Sequence, residues 1–391
     1  MTTLMMWNIN RFTQSTIYPE PESDDFADQL LTAALGIQCT EYVVTTAVNA
    51  DIFVLIEVQS TKGELGTLIG GNGATGVLLL LEYLRVHNEH WCVVPPPKLV
   101  GLTETGEKTN YTESIAVFFR SDKLDFIGPY VWPKDNPERG AKRGVPAGAA
   151  TGPYPDPWAE AKALPDKNYY AAQYQYLWHD GKDELVFTDS NMRRPLLTVF
   201  RESGDNGRLI KILATHPSPN KDTTVAVSRL LSVPEIGLTD KPQVVAIGGD
   251  LNLDVFAATG LDTTALQLLR QYLTQHFTTG NGGTMILPAD SKKEEKNGTP
   301  TTYRRLLGLD NMFTRYDGGL KAPKSNATII DRVKGLKDSP YSCVMLLTIP
   351  QLDENYLDEK EKVAEFRKPQ NYGHIAHWAG VSDHLPIVID L

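Results

Sequence analysis

Cysteine is scarce: Cys39, Cys92 and Cys343 are scattered and odd in number. That excludes a disulfide framework and a cysteine-built zinc centre, and predicts three buried thiols. Basic residues are outnumbered as well, giving a formal net charge of −10. A broad cationic face that grips duplex nucleic acid by displacing counterions is thereby excluded, although a local basic cleft is not. Long apolar runs are also missing, and none approaches the ~20 residues needed to span a bilayer. The opening MTTLMMWNINRF has no basic segment followed by an apolar one, so a cytoplasmic location is expected.

What is present suits a folded enzyme-sized chain. Of its 391 residues 41% are hydrophobic and 22% charged, enough apolar material for a sizeable core. Short apolar runs bounded by turn formers predict strands at 4–9, 52–56, 114–120, 196–200, 209–215, 243–247 and 385–391. One-sided apolar spacing predicts helices at 25–39, 75–88, 223–231 and 262–277. Strands alternating with helices imply an α/β layered fold. One domain over 1–391 is expected, with insertions at about 128–184, 288–300 and 334–373. The first is dense in Pro, Gly, Tyr and Trp, and the second reads as a charged loop. GGNGATG at 70–76 lacks the Lys-Ser/Thr ending of a phosphate-cradling loop, so it reads as the start of a helix.

Several apolar strands deliver a hard ligand or an imidazole at their ends. Glu57 interrupts ADIFVLIEVQ, Asp250 and Asn252 follow the strand in QVVAIGGDLNLD, and Asp383 and His384 precede the last strand in GVSDHLPIVIDL. Taken singly, each is a turn or cap residue. Together they imply a shared partner, because a carboxylate beside a buried strand is costly unless paired or bound to metal. Hard carboxylate oxygens with amide support favour magnesium or manganese over zinc. His216 follows another apolar strand in ILATHPSPN, and Glu113 in NYTESIAVFFR is a plausible carboxylate for an imidazole.

With WNIN, IEV, NYTES, MRRP, THPSP, GGDLNLD and SDHLP in this order, the chain resembles the endonuclease/exonuclease/phosphatase superfamily, and within it deoxyribonuclease I. The pieces run from Leu4 to Leu391 and leave out the insertions. The resemblance implies a four-layer α/β sandwich, two packed mixed sheets flanked by helices, with the site at one edge between them. It implies a magnesium-dependent phosphodiesterase, with manganese or calcium as alternative ions, acting on DNA with little sequence preference. A phosphatase or phosphodiesterase for a lipid head group or small nucleotide is the alternative, and an inactive binding protein a third reading.

Carried over residue by residue, Glu57 is the main metal ligand, with Asn8 beside it and Asp383 on the metal side. Asp250 and Asn252 orient the water and the scissile phosphate. His384 is the general base, supported by Asp310 or by its competitor Asp331. His216 is the opposing acid, oriented by Glu113. Arg193, Arg194 and Asn10 contact phosphate, and Tyr111 lines the cleft. One departure is plain: Val58-Gln59 follows Glu57 where deoxyribonuclease I has a groove-reading arginine.

Overall fold

The computed structural model describes residues 1–18, 40–60, 68–99, 113–131, 193–204, 207–218, 223–254, 261–278, 284–287, 304–324, 327–330 and 384–391, with 36, 158, 175–176 and 382. Two mixed sheets face each other. The first runs β14 (Thr328–Ile329), β15 (Ile387–Asp390), β1 (Thr3–Phe12), β2 (Ile52–Gln59), β4 (Glu113–Arg120), β3 (Trp91–Val94). The second runs β10 (Thr274–Gln275), β13 (Asp310–Asp317), β9 (Gln243–Asp250), β8 (Leu209–Thr215), β7 (Leu196–Glu202), β5 (Leu124–Val131), β6 (Gln175–Tyr176). In each, one central pair is parallel, β1 with β2 and β8 with β9. A separate hairpin joins β11 (Met285–Leu287) to β12 (Arg304–Leu307).

Strand alternation builds the layers, since successive side chains point to opposite faces. Leu4 and Met6 of β1, with Val54 and Ile56 of β2, meet Phe200, Ile212 and Ala246 from the other sheet in the central layer. Phe119, Phe126 and Phe200 fill part of it, with ring centroids 5.2–5.8 Å apart. Met5, Trp7, Phe53 and Leu55 face the other way, onto Val77, Leu80, Leu81 and Leu84 of the helix Gly71–His87. Leu213, Val245 and Ile247 pack outward against helices Thr223–Arg229 and Leu261–Tyr272. Each fully buried large side chain contributes roughly 1.5–3 kcal/mol of transfer free energy, and both sheets are buried on both faces. The result is the expected helix–sheet–sheet–helix sandwich.

These helices are labelled α2, α3 and α4, following α1 (Gln14–Ile17), whose Thr13 closes a capping box with Thr16. The GGNGATG stretch is the first turn of α2 and explains its own glycines. A Cβ on Gly73 would lie 1.7 Å from the Gln59 carbonyl oxygen. Glycine there lets α2 sit directly on the end of β2, beside Glu57.

Some boundaries differ from expectation. The helix expected over 262–277 stops at Tyr272, because Thr274 and Gln275 pair with the edge of β13. The insertion expected from 128 starts later: Gly128 to Val131 still pair with β7, and Gln175–Tyr176 adds a strand to β5 inside it. The ladder there tolerates Gly and Pro beside a register shift between Phe126 and Gly128. Strands β3 and β13 were not expected; the first is only four residues long, and the second, DNMFTRYD, is too polar to read as buried. Cys92 is buried as expected, and Cys39 and Cys343 lie outside the described residues. The helix expected at 25–39, the loop at 288–300 and the insertion at 334–373 also fall outside them. Among the described residues no helix is long and apolar enough to cross a membrane.

Candidate active site

Strands β1, β2, β8 and β9 end at the same edge of the sandwich, and β4, β13 and the segment before β15 begin there. That topology alone gathers Asn8, Glu57, His216, Asp250, Glu113, Asp310 and His384. Backbone distortion then aims them. Glu57 is an extra residue in β2, because Ile56 pairs with Ile115 and Val58 with Ser114, leaving no partner for it on β4. Its φ of 65° is left-handed, as are Arg11 at 55° and Asn252 at 49°, the three non-glycine residues with positive φ among the described residues. All three flank this edge, where such strain is commonly retained for a functional geometry. Gly249 also has φ of 136°, and a Cβ on it would lie 2.1 Å from the Thr215 carbonyl oxygen. The glycine before Asp250 therefore allows β8 and β9 to close up and bring His216 to Asp250.

Two imidazoles are each held by a carboxylate through Nδ1. His384 Nδ1 is 2.7 Å from Asp310 Oδ2, and His216 Nδ1 is hydrogen-bonded to Glu113 Oε1. Their Nε2 atoms converge on one oxygen, Asp250 Oδ2, at 3.8 Å and 3.4 Å. His216 Nε2 also lies 3.4 Å from Glu57 Oε1. The Asn8 amide bridges the carboxylates, with Nδ2 donating to Glu57 Oε1 at 3.1 Å and Asp250 Oδ2 at 3.0 Å. Asn252 donates its backbone N–H to Asp250 Oδ1 at 2.9 Å, and its amide to the Pro217 carbonyl at 2.8 Å.

Burial opposes charge on His216, Asp250 and Asp310, yet their contacts set different directions. Against burial, Glu113 and Asp250 push the His216 imidazole up to about 9, so it is protonated at neutral pH. Burial would also raise Asp250, but His384, His216 and the Asn252 amide hold its carboxyl well below the usual range. For Asp310 burial wins, and its carboxyl lies above the usual range despite His384.

Arg193 is buried with this cluster. Its Nη2 is 3.0 Å from Glu113 Oε2, and its Nη1 is 2.7 Å from both ring nitrogens of His216. Arg193, Arg194, Glu113, Ser114, Leu99, Ile115 and His216 line a small pocket on that side. Of the other residues expected here, Tyr111, Asp383 and Asp331 lie outside the described residues, and Asn10 is described by backbone only. Asp310 is the carboxylate that the structure places on His384.

Three contributors carry no signal as motif residues. Ser382 donates to the Asn8 carbonyl at 2.6 Å and accepts the His384 N–H at 2.9 Å, so it pins the imidazole to β1. Trp7 Nε1 donates to the His384 carbonyl at 2.8 Å. Thr284 accepts the Asp310 N–H at 3.1 Å and, through its carbonyl, the Leu385 N–H at 2.9 Å. Ser382 lies in SDHLP and Trp7 in WNIN, but neither residue type by itself points to a site.

The donor set suits a hard divalent cation. Glu57 and Asp250 offer carboxylate oxygens in a cluster, shared with His216, whose atoms lie within 4.8 Å of one another, and Asp250, Asp310 and His384 form a second such cluster. The protonated His216 is a neighbour of the cation position and not a ligand. Asn8 Oδ1 is buried beside them with no hydrogen-bond partner among the described residues. An amide oxygen stranded next to two carboxylates is what a cation would satisfy.

No family model and no curated protein matches the chain. Solved structures do. An endonuclease/exonuclease/phosphatase from Beutenbergia cavernae is 15% identical, covering 99% of this chain and 70% of that one, at a TM-score of 0.45. A humanized D. rerio TDP2 is 10% identical, covering 100% and 99%, at 0.43. A Bacteroides thetaiotaomicron mannosyl-6-phosphatase is 13% identical, covering 100% and 99%, at 0.41. At such values they are similar to this chain in fold alone, and no residue's role is taken from them.

Proposed function

We propose that this protein is a divalent-metal-dependent phosphodiesterase whose substrate is DNA, cut with little base preference. The observation that carries the reading is the pair of carboxylate-held imidazoles whose Nε2 atoms converge on Asp250. Hydrolysis of a phosphodiester needs a base for the attacking water and an acid for the leaving oxygen. His384, held by the buried Asp310, is the base. His216, kept protonated by Glu113 and Asp250, is the acid. Asp250 orients the water between them, and Asn252 the scissile phosphate.

Glu57 and Asn8, with Asp383, would hold magnesium or manganese; bound there, the ion neutralises charge on the non-bridging oxygens. Arg193 supplies further positive charge from the pocket side. Its guanidinium already binds Glu113, so it positions the acid as well as the phosphate.

Supercoiled plasmid incubated with magnesium is expected to be nicked, and chelator is expected to abolish nicking. Phosphate release from a lipid or nucleotide panel, without nicking under any divalent metal, would replace DNA by the phosphatase reading. The acidic net charge and the missing arginine after Glu57 are the features that favour that second reading.

A further inference from the structure

We propose that Arg11 binds a second phosphate of the substrate, next to the one being cleaved, so that the substrate is a strand with several phosphates. This rests on the phosphodiesterase reading and assigns a residue that the motifs did not single out.

Arg11 sits in an unusual piece of β1. Asn8 pairs with Ile56 and Phe12 with Val58, so Ile9, Asn10 and Arg11 together oppose Glu57 alone. The surplus length is taken up by a double distortion, Arg11 at φ 55° and Glu57 at φ 65°. A hydrogen bond locks the two together, from the Arg11 backbone N–H to Glu57 Oε2 at 3.1 Å. A left-handed conformation is strained for a long L side chain, and glycine or asparagine would adopt it more easily. The position nonetheless carries arginine.

Its side chain gives the reason. Arg11 is exposed, whereas Arg193 and Arg194 are buried. Its backbone touches the Glu57 carboxylate, yet its guanidinium makes no ion pair or hydrogen bond among the described residues. A cation on the rim of an acidic site, tethered beside its proposed metal ligand and not spent on that ligand, is placed for an incoming anion. The scissile phosphate belongs at the buried convergence of the imidazoles, so the anion on the rim is a neighbouring phosphate.

The test compares a short single-stranded oligonucleotide with a dinucleotide containing one phosphodiester. Wild type, Arg11→Gly and Arg11→Lys are assayed with magnesium over a series of salt concentrations. Glycine takes the left-handed backbone without strain, and a melting curve for each variant verifies folding. Loss of one charge-assisted phosphate contact is expected to raise KM for the oligonucleotide about tenfold, acting on KM more than kcat. The preference for oligonucleotide over dinucleotide should fall by the same factor, and the salt slope of log(kcat/KM) by about one. Arg11→Lys should restore most of the salt slope. Equal losses on both substrates, or equal salt slopes in wild type and Arg11→Gly, would overturn the proposal. If the wild type cleaves neither substrate, the reading of the site fails, and the salt slope of equilibrium oligonucleotide binding decides Arg11: a slope smaller by about one in Arg11→Gly supports it, and equal slopes overturn it.

Discussion

The two ends of the sandwich treat buried carboxylates in opposite ways. Away from the site, the buried Asp51 and Asp317 and the partly buried Glu202 have basic partners: Lys123 at 2.6 Å, Arg315 at 2.8 Å and Arg208 at 2.7 Å respectively. Arg208 also donates to the Leu391 carbonyl at 2.6 Å, and Thr2 to Glu202 at 2.6 Å, closing that end with protein groups. At the site end Glu57, Glu113, Asp250 and Asp310 share, among the described residues, two histidines and one bonded arginine. The ends of β1 and β2 there are bulged and left-handed, whereas the β1–β15 and β9–β13 ladders run in register. One end is built to be satisfied by the chain, and the other leaves negative charge for something outside it.

Mutating both ends separates these roles. His384→Ala is expected to lower kcat on plasmid by about a thousandfold or more, with little change in melting, because it removes the proposed base. Arg208→Ala should do the reverse, leaving kcat intact while destabilising the fold by about 1–3 kcal/mol, since Glu202 and the Leu391 carbonyl lose their donor. Denaturant titration beside plasmid nicking reads both. If both variants lose stability alike and activity alike, the division between ends is wrong.

A smaller effect distinguishes the ends by pH. His216 is raised from 6.5 to about 9 in the fold, so its charged form stabilises the protein fully below pH 6.5. That contribution is lost as pH rises through about 9, because the unfolded state then holds fewer protons than the folded one. Unfolding free energy is expected to fall between pH 6.5 and 9 by about 1–3 kcal/mol. In His216→Gln this pH dependence should flatten, and in Arg208→Ala it should persist. A wild-type profile that is flat across this window would remove His216 as the protonated acid.

Much of this end was legible in the chain because period and punctuation report burial directly. Alternation in LMMWNIN and ADIFVLIEV places the core layers, and GGD marks the close approach of β8 and β9 that brings His216 to Asp250. The pairing of Asp310 with His384 was not decidable, because it joins residues 74 apart whose register is set by β13 and by the hydrogen bonds of Thr284. Polar β13 hid because its buried apolar residues, Met312 facing the other sheet and Phe313 facing the helices, are too few to give a period. Arg11 hid for a different reason. A bulge is a property of two strands, and only the mismatch of β1 against β2 shows that Arg11 and Glu57 meet.

The central claim is that the unpaired charge at the site end holds a divalent cation. Chelator-stripped protein titrated with magnesium should melt at a temperature that rises with the logarithm of magnesium concentration, since a ligand of the folded state stabilises it by mass action. Glu57→Gln should start at an equal or higher melting temperature without magnesium, being freed of one carboxylate, and should gain little on its addition. Wild-type melting that is the same in chelator and in magnesium or manganese, or a Glu57→Gln variant that gains as much as wild type, would contradict the account.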